Sequence, residues 1–121
     1  MALPLAFVIV VVAGLLTLGT LLNMGFRTMK RSEAYQVALH RAMASSDVVG
    51  QLGNPVRPRW WLMGNYKWDQ QSETADFTIP IFGPRGEAKI YVKGQSAHGN
   101  WTYRQMEVEI QGKEARVNLL P

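Results

Sequence analysis

The chain of 121 residues has no cysteine. A disulfide framework, a thiolate zinc site, a redox-active cysteine pair and thioether attachment of haem are thereby excluded. Histidine is nearly as scarce. His40 and His98 stand far apart in sequence, so a metal centre built mainly on imidazole is not expected. Residues 1–26 hold no Asp, Glu, Lys, Arg or His. All 13 Lys and Arg and all 9 Asp and Glu lie between Arg27 and Arg116. The chain therefore divides into an uncharged run and a charged remainder. The remainder is long enough for one compact domain with a modest core, and too short for two lobes enclosing a cleft.

Signatures of catalysis are missing as well. There is no nucleophile elbow, no Walker-type phosphate loop and no dinucleotide-binding glycine pattern. Glu107 and Glu109 share one strand face. A catalytic carboxylate pair would need burial and supporting hydrogen bonds, and alternation with Met106, Val108 and Ile110 reads instead as a solvated face. His98 lies in the Ser96-Ala97-His98-Gly99-Asn100 segment with no evident catalytic partner, and His40 stands beside Arg41 on a juxtamembrane helix. Neither a cofactor nor a small-molecule substrate is expected, and the chain does not read as an enzyme.

What the sequence does have is a long apolar run. Ala2 to Phe26 carries no charge, and a helix needs about 20 apolar residues to cross a bilayer. Fourteen positions from Leu3 to Phe26 are Leu, Ile, Val or Phe. Each favours insertion by roughly 0.3–0.6 kcal/mol near the helix centre. Pro4 suits a first turn, where its missing N–H costs nothing. The polar Thr17 and Thr20 can bond back to the preceding turn. A cleaved signal peptide is the competing reading, but the run is long, lacks a basic start and shows no small-residue cleavage site. A transmembrane helix over 1–26 is expected. Ala6, Ala13, Thr17 and Thr20 form a small-residue face that permits close helix packing; they are equally read as small residues in an apolar run.

Net charge is +4, yet only Arg27, Lys30 and Arg31 are dense. That pattern marks the end of a span or a headgroup contact, not a nucleic-acid surface. By the positive-inside rule it places the following domain on the cytoplasmic or matrix side.

Residues 27–46 form a juxtamembrane helix or linker. Arg31 to Ala44 lacks Gly and Pro and sets Tyr35, Ala38, Leu39 and Ala42 on one helical stripe. It can continue directly from the span. Ser46 is the expected N-cap of a short helix through Val48, Val49 and Leu52, closed by Gly53 and Asn54-Pro55. From Val56 the period changes to two. Trp60, Leu62, Tyr66 and Trp68 alternate with Arg59, Trp61, Met63 and Lys67. Phe77, Ile79 and Ile81 make a second apolar set, Ala88, Ile90 and Val92 a third, Met106, Val108 and Ile110 a fourth, and Ala115, Val117 and Leu119 a fifth. Gly83-Pro84-Arg85-Gly86 and Gln111-Gly112-Lys113 are turn signals, and Gly94 to Asn100 reads as a loop. The fold class is α+β: a transmembrane helix, a juxtamembrane amphipathic helix, and over 47–121 an α+β soluble domain in which a short helix precedes a mainly antiparallel sheet of four to six strands.

The run Arg57-Pro58-Arg59-Trp60-Trp61 interleaves basic and aromatic residues. Stacking on single-stranded nucleic acid is the least supported use. A membrane interface, a protein-partner contact and plain core packing remain open. Strand alternation sets Trp60 and Trp61 on opposite faces, one buried and one exposed.

The stretch from Asp47 to Leu120 resembles the cytochrome c oxidase assembly protein 1 family. The resemblance rests on Leu52-Gly53-Asn54-Pro55 ending a short helix and on Ala75-Asp76-Phe77-Thr78-Ile79-Pro80-Ile81 leading into Gly83-Pro84-Arg85-Gly86. The Ala88 to Val92 strand, Gly99-Asn100-Trp101 and the Met106 to Ile110 strand with its Gly112 turn follow in order. The design is also similar to the soluble domain of a presequence-translocase subunit. The resemblance implies a membrane-tethered factor that helps build the terminal oxidase by binding respiratory-complex subunits or other assembly proteins. It implies a bacterial or mitochondrial inner membrane, with the domain on the periplasmic or intermembrane-space side, opposite to the charge rule. A permanent accessory subunit of a respiratory complex is the alternative function, and a tethered enzyme or ligand carrier a third. The contact surfaces expected are Arg57, Arg59, Trp60 and Trp61 on the domain and Ala6, Ala13, Thr17 and Thr20 on the span.

Overall fold

The computed structural model describes residues 4–121; positions 1–3 of the expected span lie outside the described residues. Helix α1 spans Leu5–Lys30, α2 Glu33–Ala44 and α3 Ser46–Leu52. Six strands follow: β1 Arg57–Pro58, β2 Met63–Trp68, β3 Ser72–Gly83, β4 Gly86–Ala97, β5 Asn100–Ile110 and β6 Arg116–Asn118. The α+β class and the antiparallel sheet stand as the sequence suggests.

α1 begins after Pro4 and is long and apolar enough to cross a membrane. None of its residues is buried. Thr17 and Thr20 donate to the carbonyls of Ala13 and Leu16, both at 2.9 Å, which satisfies their hydroxyls inside the helix. Arg27 and Lys30 occupy its last turn, where cations complement the helix dipole.

α1 and α2 are separate helices, and Ser32 is the reason. Its hydroxyl donates to Met29 O at 2.7 Å and accepts from Tyr35 N at 3.2 Å. One side chain thus closes α1 and caps α2. α2 turns Ala34, Tyr35, Ala38 and Ala42 into the core, as its stripe indicates, with Leu39 half-buried. The cap of α3 is Ser45 rather than the expected Ser46: Ser45 has extended backbone and its hydroxyl accepts from Val48 N.

The sheet order is β1-β3-β4-β5-β6, with β2 also pairing β3. Phe77, Ile79, Ile81, Ile90, Val92, Met106 and Val108 are fully buried on one face, together with Val48 and Leu52 of α3. α2 and α3 pack on that face. The turn between β3 and β4 clasps the end of α3. Arg85 N donates to Leu52 O at 2.8 Å, and the Arg85 guanidinium reaches Gly50 O at 2.9 Å. A Cβ on Gly83 would stand 2.3 Å from Leu52 O, so only glycine fits. The two turn motifs, 52–55 and 83–86, are therefore one packed contact.

Two expectations are corrected. Residues 94–97 are strand, not loop: β4 runs to Ala97 and turns through His98-Gly99 into β5. Gly94 faces Tyr103 and Ser96 faces Trp101; a Cβ on Gly94 would meet the Tyr103 ring at 2.6 Å. Small residues sit there to make room for rings on β5, which gives a strand a loop-like composition. Residues 59–62, expected to continue a strand, form a bent link between β1 and β2. Leu62 is buried while Trp60 is exposed, so they do not share a face.

Candidate partner-binding groove at the end of the first helix

The β1–β2 link carries three of the four domain residues singled out in the sequence. Arg59 N donates to Pro80 O at 2.9 Å, which ties the link to β3. The Arg59 guanidinium pairs with Glu87 and lies over the Phe82 ring, 4.3 Å from its centroid. Trp60 is 70% exposed. Its ring meets Phe26 of α1 edge-on, with centroids 5.8 Å apart. Its carbonyl accepts a 2.6 Å hydrogen bond from Lys30 Nζ. Trp61 is half-buried, not the fully buried partner that alternation implies, because the link is bent rather than pleated. Arg57 sits apart, exposed in β1 opposite Phe82.

The link and the sheet enclose a groove of about 450 Å³. Arg59, Trp60 and Trp61 form its wall. Its floor includes Pro80, Lys89 and Glu109, which stand in one row across β3, β4 and β5. Sequence alternation puts these three on the face opposite the core. It does not reveal that they are neighbours, because that depends on the register between strands.

The charges of the groove are mostly answered within the domain. Glu87 answers Arg59. Arg116 binds Glu109 at 2.9 Å and Glu107 at 2.5 Å, and its guanidinium lies 4.8 Å from the Tyr91 ring centroid. Hydrogen bonds from Arg116 and then Gln105 hold the Glu107 carboxyl below its ordinary value. Burial, and then Glu109, push the Tyr91 phenol up. Lys89 takes part in none of the three ion pairs of the described residues. The groove thus offers indole surface beside one uncommitted ammonium, a combination suited to an apolar segment bearing an acidic or carbonyl group.

Other polar clusters have local explanations. Asp69 accepts from the backbone N–H groups of Gln71 and Ser72 at 2.8 and 2.7 Å, which lowers its carboxyl and shapes the β2–β3 turn. Tyr66 donates to Glu73 at 2.7 Å; burial first, and then Glu73, push its phenol up to about 12. His98 occupies the β4–β5 turn with φ of 53°. Among the described residues no group of three His, Asp or Glu side chains could hold a metal ion. Ala6, Ala13, Thr17 and Thr20 lie on the exposed α1.

A long apolar helix, a candidate membrane span, leads into a small α+β domain that carries an aromatic groove on its sheet. The family model for cytochrome oxidase complex assembly protein 1 matches residues 5–121, and the chain belongs to that family. No curated protein and no solved structure matches the chain.

Proposed function

We propose that this protein is a single-pass membrane protein that assists assembly of cytochrome oxidase by binding and positioning oxidase subunits or other assembly proteins. The observation that carries the reading is the groove between the β1–β2 link and the sheet, whose wall residue Trp60 also meets Phe26 of α1, in a chain whose family is one of oxidase assembly proteins. A partner segment would lay an apolar side chain against Trp61 and set an acidic or carbonyl group beside Lys89. Arg57, exposed on β1 apart from the groove, would add a separate basic contact. Ala6, Ala13, Thr17 and Thr20 would let a partner's membrane helix approach α1 closely. Work of this kind needs binding energy and geometry, not a catalytic group.

We place the domain, residues 47–121, on the periplasmic or intermembrane-space side, joined by residues 27–46 to the span over 1–26. The basic cluster after the span favours the opposite side by the charge rule. Lys30, however, has a structural task in holding Trp60, and Arg27 and Lys30 complement the helix dipole. These roles give the cations a reason to be there that does not depend on topology.

The reading is tested in cells depleted of the protein. Newly made oxidase should fail to reach its assembled, haem-absorbing form, while oxidase assembled beforehand persists. Normal accumulation of new oxidase overturns the reading.

A further inference from the structure

Trp60 does not behave as a core residue or as an ordinary groove wall. With 70% of its surface exposed, it stands against Phe26, the last residue of the uncharged run. Arg27, Lys30 and Arg31 follow at once, and Lys30 holds the Trp60 backbone. Three features therefore meet at one level of α1: the end of the apolar run, an exposed indole and a ring of cations.

That level has a physical meaning. From Leu5 to Phe26 the helix rises about 32 Å at 1.5 Å per residue, close to the roughly 30 Å hydrocarbon thickness of a bilayer. Phe26 thus falls at the boundary between acyl chains and headgroups. An indole placed there keeps its ring in the apolar layer and its N–H among polar groups. Arg27 and Arg31, one and five residues beyond Phe26, are exposed on the headgroup side of that level, within reach of lipid phosphates.

We propose that Trp60 is an interfacial anchor that seats the domain against the lipid headgroup layer. The proposal rests on the reading of α1 as a membrane span and adds that the domain is docked on the bilayer, not suspended above it. Its consequence is selective: the groove wall that Trp60 provides opens at the membrane surface. Segments emerging from the bilayer reach it before distant soluble loops do.

The test uses the full chain in vesicles of phosphatidylcholine and phosphatidylglycerol. Emission of the native chain is compared with that of Trp60→Phe, and the difference isolates Trp60. A chain keeping Trp60 as its sole tryptophan serves as a second probe. Lipids brominated near the glycerol end of the acyl chain should reduce the Trp60 signal roughly twofold, and lipids brominated near the chain terminus much less. Co-flotation with vesicles but an unquenched Trp60 signal overturns the anchor while leaving the span intact. A chain that does not float with vesicles overturns both. Protection of Trp60 only when solubilised oxidase subunits are added overturns the lipid assignment in favour of a protein contact.

Discussion

The rings of Phe26 and Trp60 meet at 66° with centroids 5.8 Å apart, joining the last apolar turn of α1 to the link between β1 and β2. The Lys30–Trp60 hydrogen bond closes the same junction from the polar side. A domain that follows a long helix through a two-residue break, Arg31 and Ser32, could swing freely. This pair of contacts holds the β1–β2 link against the end of α1.

Removing the polar half of that junction should free the domain without unfolding it. Lys30→Met loses one exposed charge-assisted bond, worth about 1 kcal/mol or less at this exposure. The domain's denaturation midpoint should stay nearly unchanged, while trypsin cleaves faster at Arg31 in vesicle-bound protein. Unchanged cleavage contradicts a restraining role for Lys30.

The two tryptophans should separate function from stability. Trp60→Ala removes an exposed ring, so it should weaken recovery of partner proteins and leave the domain as stable as before. Trp61→Ala exposes part of the groove floor and should cost about 1–2 kcal/mol as well. Equal partner recovery by an intact Trp60→Ala domain argues against the groove.

Gly83→Ala should be among the most damaging single-methyl changes. The added carbon would lie 2.3 Å from Leu52 O, forcing α3 and the β3–β4 turn apart. A loss of about 1–3 kcal/mol is expected in denaturant titration. Gly50→Ala, where a Cβ meets nothing within 4 Å, should be nearly neutral and serves as the comparison.

The sequence made much of this fold legible, for identifiable reasons. The Tyr35–Ala38–Ala42 stripe and the alternating apolar sets of β3, β4 and β5 report burial directly and are found buried, and the uncharged run is found, from Leu5 on, within the exposed helix α1. The misread segments answer to distant residues. Gly94 and Ser96 look like loop because Tyr103 and Trp101 lie opposite. Arg59 to Leu62 looks like strand by alternation, but the link bends where Arg59 N bonds to Pro80 O. The groove shares that origin: Trp60 and Trp61 stood out by composition, whereas Pro80, Lys89 and Glu109 become neighbours only through strand register.

Acid should weaken the outer face of the sheet first. The Glu107 carboxyl is held below its ordinary value, near 4.5, by Arg116 and Gln105. A carboxyl lowered in the folded state contributes stability that is full above its unfolded value and fades as pH falls through the folded one. The contribution is small at this exposed site. Native stability should therefore decline below about pH 4.5, and Arg116→Gln should flatten that part of the decline. An identical acid profile in the variant contradicts the coupling.

The central claim is that the chain binds the oxidase while it is being built. The most direct measurement is recovery of the full-length protein from native membranes in mild detergent, with quantitative mass spectrometry of what accompanies it. Oxidase subunits together with other assembly proteins, well below one-to-one and absent from the mature enzyme, are the predicted result. One-to-one presence in a mature respiratory complex would make the chain an accessory subunit, and recovery without any oxidase subunit would contradict the account outright.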